Sequence, residues 1–184
     1  MNFDKLIRTR RSVRKFKKAA PDWRDIIEAI DAARFAPIAG SAYTLKFIVV
    51  DEPEKIKKIS EACQQEFVNE VSYLVVACSN PSRTINAYGE NGDIYVRQQA
   101  GAGLQNFWLK LVEKGLSTCW VGYFVENIIK ETLKIPKELN VEAVFPIGYS
   151  NDKPDKKAKI NLDNILYFNK FGEKKMNPPK KLSA

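Results

Sequence analysis

Three arginines and a serine lie within five residues near the start of the chain: Arg10, Arg11, Ser12 and Arg14. Guanidinium groups present planar, bidentate donors that match phosphate oxygens, and a short hydroxyl adds a close donor. The segment therefore predicts a site for a phosphate monoester. The alternative is a solvated basic helix end that complements the helix dipole.

The composition limits which side chains could carry chemistry. The sequence has no histidine, which excludes Ser-His-Asp and Cys-His catalysis and histidine-ligated metals. The three cysteines, Cys63, Cys78 and Cys119, lie far apart without a CxxC pair, so we expect neither disulfides nor a metal site. A reducing, cytoplasmic location is expected, with no membrane association, because no apolar stretch approaches the length of a membrane span.

The net charge of +8 is concentrated at the two ends of the chain, around an acidic middle. This asymmetry favours an anionic ligand, a nucleic acid or a membrane surface as partner, with a solvated surface as the alternative. Basic and aromatic residues do not interleave on one predicted strand, so a nucleic-acid-binding module is the least favoured hypothesis. The lysine-rich, proline-containing tail at 173–184 cannot join a core alone, and it is either frayed or laid over a partner.

Hydrophobic periodicity predicts strands that alternate with helices of unequal length, hence an α/β or α+β layered sheet. Asp22 is the expected N-cap of a helix that ends near Ala36, before Pro37. The apolar run 73–78 predicts a strand buried on both faces at the centre of the sheet. The predicted helices are 3–10, 22–36, 53–67, 96–112 and 126–133, and Gly115 is the expected residue just after the end of the fourth. The predicted strands are 46–50, 73–78, 118–124 and 141–149.

Two further segments are candidate functional surfaces. The small-residue turn at 36–41 would let the backbone approach a flat ligand closely, although an ordinary tight connection is equally compatible with it. Residues 79–92 have no apolar periodicity and are predicted to be a long loop that acts as a lid or binding loop. Gly101-Ala102-Gly103 lies inside a helical pattern, so it indicates helix packing and not a dinucleotide fingerprint.

Five motifs occur in a specific order along the chain. They are Arg-Arg-Ser-x-Arg near residue 10, Ala-Pro-x-Ala-Gly-Ser near 36, Tyr-Gly-Glu at 88–90, Gly-Leu-Ser-Thr-Cys-Trp-Val-Gly-Tyr-Phe at 115–124, and Pro-Ile-Gly-Tyr at 146–149. In this order, the sequence resembles the nitroreductase family of FMN enzymes over roughly residues 3–172.

The resemblance implies an α+β fold with a mixed sheet flanked by helices, in an intertwined homodimer. One domain would span 1–172, and the tail at 173–184 would wrap the partner subunit. It also implies FMN as cofactor, with the phosphate and ribityl chain held by Arg10, Arg11, Ser12, Arg14, Lys157 and Lys159. The flavin ring would be contacted by Pro37, Ile38, Ala39 and Ser41 across the dimer interface, and by Val121, Gly122 and Tyr123.

The activity that the resemblance implies is hydride transfer from NADH or NADPH to FMN, followed by reduction of a nitroaromatic or quinone in a ping-pong cycle. Tyr43, Tyr88 and Phe124 are the candidate contacts for this flat acceptor. Tyr43 stands where the family commonly has glutamine, and Ile38, Ser41 and Leu45 also depart from the family pattern. Because the exchange at Tyr43 removes an amide that could pair with the flavin, a flavin-binding protein without turnover is the second hypothesis.

Overall fold

The computed structural model describes residues 2–151 and 158–177. The chain divides into two compact units, Met1–Pro154 and Asp155–Ala184. The described part of the first unit contains helices α1 (Phe3–Thr9), α2 (Trp23–Ala33), α3 (Pro53–Cys63), α4 (Ser82–Tyr88), α5 (Gly92–Glu113) and α6 (Glu126–Leu133), and strands β1 (Leu45–Val50), β2 (Tyr73–Ser79) and β3 (Asn140–Ile147). The predicted boundary at residue 172 stays a prediction.

The three strands form one antiparallel sheet in the order β1-β2-β3. The central position predicted for β2 is confirmed, and this strand is buried along nearly its whole length. Among the described residues, parallel pairing is restricted to a single bridge between Ser12 and Thr118, which lies outside the named strands. Helices and an antiparallel sheet together confirm the predicted α+β class.

The sheet has a hydrophobic core on each face. Because side chains alternate along a strand, Val75 and Ala77 of β2 point into one core, and Leu74 and Val76 point into the other. Helices α2 and α5 cover the first core, which includes Ile26, Ala33, Leu104, Phe107 and Phe145. Helices α3 and α6 cover the second, which includes Ile56, Ile59, Ile129 and Val144.

The sequence predicted the starts of α1, α2, α3 and α6 to within one residue, but α2, predicted to end near Ala36, ends at Ala33. The Asp22 carboxylate accepts a hydrogen bond from the Arg24 N–H and caps α2. Gly115, at φ 76°, follows the end of α5. The prediction that α3 continues to Phe67 is wrong: Gln64 adopts a left-handed φ of 53° and ends the helix after Cys63.

Two element predictions are wrong. Residues 79–92 are not a loop: after Ser79, which ends β2, and a two-residue connection, they form α4, a 3₁₀ turn over Gly89–Asn91 and the first residue of α5. This part of the chain is mostly exposed, so it lacks the apolar periodicity that identifies buried helices. Residues 118–124 do not form a strand and are held by isolated bridges, because Thr118 pairs with Ser12 whereas Val121 pairs with Val144 of β3.

Close packing explains Gly103 in α5. A Cβ atom at Gly103 would lie 2.6 Å from Leu45 Cδ1 and 3.2 Å from the Ala33 carbonyl oxygen. The helix therefore approaches α2 and β1 closely at this glycine. The segment Gly101-Ala102-Gly103 lies inside a helix as predicted, but the packing role applies to Gly103 alone, because a Cβ atom at Gly101 would meet no heavy atom within 4 Å.

The described part of the second unit contains a 3₁₀ turn over Leu162–Asn164, capped by the Asn161 side chain. The Tyr167 and Phe171 rings lie 4.4 Å apart, and the Lys174 ammonium group lies 3.7 Å from the centroid of the Tyr167 ring. Across both described segments, none of the helices has the length and hydropathy to cross a membrane.

Candidate functional site

The basic segment that follows α1 is held in place through its backbone. The Val13 N–H donates to the Thr118 carbonyl oxygen at 3.0 Å, and the Lys17 N–H donates to the Tyr149 carbonyl oxygen at 2.9 Å. The side chains of Val13 and Phe16 are buried. The segment is therefore fixed as extended chain against two parts of the fold that are distant in sequence.

The three arginines of this segment lie near aromatic rings or backbone carbonyls. The Arg10 guanidinium lies 4.3 Å from the centroid of the Trp108 ring, and that of Arg14 lies 5.9 Å from the Phe67 ring. Arg11 donates to the carbonyl oxygens of Arg8 and Arg10 at 2.8 and 2.7 Å. Burial, and then the neighbouring charge of Arg11, lower the pKa of Arg10.

None of these arginines has an acidic partner within the part of the chain that the structure describes. Within residues 2–151 and 158–177, no carboxylate lies within 4.0 Å of Arg10, Arg11 or Arg14. By contrast, Arg24 and Arg34 each pair with an aspartate, at 3.5 and 3.0 Å. The cluster is thus a concentration of positive charge without a carboxylate partner among the described residues.

Unpaired polar atoms lie beside the same segment. The hydroxyl of Thr118, which is fully buried and bridged to Ser12, has no hydrogen-bond partner among the described residues, and the same holds for Trp108 Nε1 beneath Arg10. Burial raises the pKa of the Cys119 thiol, although Arg14 and a hydrogen bond with Ser12 oppose the shift. Uncompensated arginines beside orphaned donors fit a phosphate group that supplies several acceptor oxygens.

The small-residue turn has an unusual backbone. Residues Ala39–Ser41 form a 3₁₀ turn in which Gly40 and Ser41 both adopt left-handed conformations, with φ of 55° and 57°. A Cβ atom at Gly40 would lie 2.6 Å from the Tyr88 hydroxyl oxygen. Tyr88, at the end of α4, therefore packs directly on the turn, as glycine at this position permits.

The turn and α5 enclose a cavity of about 200 Å³. Tyr95 lines it from α5, and its ring makes an edge-to-face contact with Tyr88 at 5.1 Å. The full lining is Pro37, Ile38, Ala39, Tyr95, Gln98, Gln99 and Ala102. The structure thus brings three predicted turn residues and Tyr88 to one place, together with the residues from α5.

Sequence reasoning missed the contribution of α5 to this cavity. A usable signal was present, because Gln99 lies three residues after Val96 and four before Gly103, on the buried face of the helix. A polar residue on an apolar helical face requires hydrogen-bond partners.

Tyr43 is half-buried and lies between the turn and β1. Burial raises the pKa of its phenol, whereas the charge of Arg34 opposes that shift. The phenol therefore stays protonated at neutral pH and can donate a hydrogen bond.

The remaining predicted residues occupy several places. Val121 exchanges two backbone hydrogen bonds of 3.0 Å with Val144, and Gly122 and Tyr123 beyond it are exposed. Phe124 is half-buried and packs against the core beneath α3 and α6. Lys159 is an exposed residue of the second unit, and Lys157 lies outside the described residues. The roles predicted for all of these residues stay predictions.

Comparison with known proteins identifies the family. The model of the nitroreductase family matches residues 7–78 and 59–149, which together include the basic segment, the turn and α5. The chain belongs to the nitroreductase family. It is 31% identical over 156 residues to a protein of Archaeoglobus fulgidus named as an NADH dehydrogenase/NAD(P)H nitroreductase, and the match covers 82% of this chain and 87% of the relative.

Solved structures of the family share the fold. A nitroreductase family protein from Clostridium novyi is 32% identical, with a TM-score of 0.76, and the match covers 94% of this chain and 96% of that one. A protein from Clostridium difficile described as an FMN-dependent nitroreductase is 25% identical, with a TM-score of 0.78 and coverage of 90% and 98%. The family resemblance inferred from the five motifs is confirmed.

Proposed function

We propose that this nitroreductase-family protein is an FMN-dependent oxidoreductase that takes a hydride from NADH or NADPH and reduces a flat acceptor such as a nitroaromatic or quinone. The observation that carries the proposal is the uncompensated basic segment at 10–14, which is suited to the phosphate of FMN. Family membership and the names of the relatives, which include an NAD(P)H nitroreductase and an FMN-dependent nitroreductase, support it.

The residues of the basic segment would bind and orient the cofactor. Arg10 and Arg14 supply charge-assisted donors for the phosphate oxygens, and Ser12 supplies a hydroxyl. The hydrogen bond from the Val13 N–H to the Thr118 carbonyl oxygen fixes their backbone before the ligand arrives. Less backbone entropy is then lost on binding, which favours affinity.

The turn at 37–41 supplies a surface without long side chains for the flavin ring. Tyr43 supplies a protonated phenol near this surface, and a donor at the pyrimidine end of a flavin favours its anionic reduced form. Bound FMN would supply the hydride chemistry itself, so the protein needs no catalytic histidine.

We further propose that the protein works as a homodimer, with the turn of one subunit contacting the flavin bound by the other. Exposed apolar residues of the second unit agree with this arrangement: Ile160, Leu162, Ile165 and Phe171 are each more than half exposed. Tyr88 and Phe124 are the proposed aromatic contacts for the acceptor.

The test is a visible absorption spectrum of the purified protein, repeated after loading with excess FMN and removal of unbound flavin. The proposal expects a retained flavin spectrum that bleaches on anaerobic addition of NADH or NADPH and returns when a nitroaromatic or quinone is added. Retained flavin that is not reduced would identify a flavin-binding protein without turnover. Absence of flavin from a folded, loaded protein would refute the proposed function.

A further inference from the structure

Gln99 is a polar side chain in the most buried part of α5. Its exposed fraction is 4%, and Val96, Ala100 and Gly103 on the same helix are also buried. A buried amide costs free energy unless its donors and acceptor find hydrogen-bond partners. The position of Gln99 therefore depends on what its amide binds.

The Gln99 amide is bonded entirely to one short segment of chain. Its Oε1 atom accepts from the Thr44 N–H at 2.7 Å and from the Thr44 hydroxyl at 2.5 Å. Its Nε2 atom donates to the Ala42 carbonyl oxygen at 3.3 Å. Ala42 and Thr44 are themselves buried, so these bonds are shielded from competition with water.

The two tethered residues flank Tyr43 on both sides. The chain reaches Ala42 directly from Gly40 and Ser41, which both adopt left-handed conformations, and a non-glycine residue such as Ser41 is strained there. Such a backbone persists where its surroundings over-determine it. Tyr88 packs on the turn at Gly40, and Gln99 fixes the chain immediately after it.

We infer that Gln99 is a positioning residue for the reaction: through Ala42 and Thr44, its amide fixes the phenol of Tyr43 and the turn at 37–41 in the place where they meet the flavin. The inference rests on the proposed function for the identity of the ligand. Gln99 acts through its neighbours, and it also lines the cavity between the turn and α5.

The test compares four variants of the full-length protein loaded with FMN. Gln99→Met preserves the volume of the side chain but removes all three bonds, and Gln99→Glu keeps the acceptor for both Thr44 donors. Thr44→Val is a milder change that removes the hydroxyl donor alone. Gln105→Met is the matched control, because Gln105 is a half-buried glutamine six residues further along α5. Turnover per bound FMN and hydrogen exchange of the Thr44 amide are measured for each.

In Gln99→Met, exchange of the Thr44 amide should accelerate about tenfold, and turnover per bound FMN should fall about fivefold to tenfold. Thr44→Val should reduce turnover by about twofold to threefold, which keeps the inference testable if Gln99→Met does not fold. Gln99→Glu keeps both bonds from Thr44 but buries a carboxyl group against the Ala42 carbonyl oxygen, so exchange of the Thr44 amide should accelerate less, and turnover should fall less, than in Gln99→Met. A purely structural role would lower FMN occupancy or thermal stability and leave turnover per bound FMN unchanged.

Three results would overturn the inference. In the first, the wild type is active and Gln99→Met has the same turnover per bound FMN. This result would refute the positioning role and leave the proposed function intact. In the second, Gln105→Met loses as much turnover as Gln99→Met, which would indicate a general effect of changes in α5. In the third, the wild type binds no FMN, which refutes the proposed function and with it the positioning role.

Discussion

Replacing Arg10 and Arg14 together with alanine should weaken FMN binding strongly, because the fold offers these two side chains no carboxylate partner among the described residues. A hydrogen bond to a charged group contributes about 1.5–3 kcal/mol, so the loss of two such contacts amounts to about 3–6 kcal/mol. At about 1.4 kcal/mol per tenfold, the dissociation constant of FMN should rise by roughly two to four orders of magnitude.

The assay is a fluorescence titration of the apoprotein with FMN and, separately, with riboflavin, which carries the same ring system without the phosphate. If the arginines bind the phosphate, the double variant should lose affinity for FMN and keep its affinity for riboflavin. The difference between the two ligands isolates the phosphate contact from any general damage to the site.

Arg10 also has a packing role that the design must separate. Its guanidinium lies 4.3 Å from the Trp108 ring, and such a contact contributes about 0.5–2 kcal/mol to stability. Arg24→Ala is the matched control, since it removes an arginine that lies 4.9 Å from the centroid of the Trp23 ring on α2. The control should keep full FMN affinity.

Two outcomes would refute this reasoning. Unchanged FMN affinity in a folded Arg10→Ala/Arg14→Ala variant would show that the phosphate is bound elsewhere. Equal losses of FMN and riboflavin affinity would show that the arginines support the ring site or the fold, and that they do not contact the phosphate.

Three further predictions concern the fold around the site. Gly40→Ala should lower the free energy of unfolding by at least about 1–2 kcal/mol, because alanine is strained at φ 55° and its Cβ would meet the Tyr88 hydroxyl; urea unfolding measures this. Gly101→Ala, in the interior of α5 with no heavy atom within 4 Å of the added Cβ, should instead stabilise the protein by about 0.5–1 kcal/mol in the same assay, and a destabilised Gly101→Ala would contradict the packing described above. Burial is the largest single influence on Glu126 and raises its pKa, but the hydrogen bonds from the Val141 N–H and Lys130, together with the charges of Lys130 and Arg97, outweigh it and the net pKa is lowered. The carboxylate therefore stabilises the fold above its unfolded pKa of about 4.3 and loses this contribution as the pH falls through the lower folded value. Urea unfolding of wild type and Glu126→Gln across that range should show their difference in stability shrinking towards acid, and a constant difference would contradict the assignment.

The elements predicted correctly are those whose burial leaves a strong periodic trace in the sequence. Strand β2 is apolar at nearly every position because both of its faces are covered. Helix α5 has apolar residues at intervals of three and four because one broad face packs on the sheet. Helix α4 was missed because it is mostly exposed. The apolar character of residues 118–124 predicts a strand, yet their backbone forms isolated β-bridges to two different partners, Ser12 and Val144.

The candidate site was predicted in part, for a related reason. The arginines at 10–14 and the turn at 37–41 are contiguous in sequence, so residue types and spacing suffice to find them. The contacts from α5 depend on how a helix more than fifty residues later packs against that turn, which no local pattern encodes. Gln99 could have been identified as an unexplained polar residue on an apolar face, but its partners Ala42 and Thr44 could not.

Helix α5 links the two parts of the candidate site. Gln99 binds the segment after the turn, whereas Trp108, nine residues later, lies beneath Arg10 of the basic segment. Nine residues correspond to about 13 Å along a helix axis and to two and a half turns, so the two side chains leave opposite sides of α5. Leu104 and Phe107 between them are completely buried against the sheet, which fixes the helix in both translation and rotation. A change in the packing of α5 should therefore disturb the turn and the basic segment together, although these are two separate segments of the sequence.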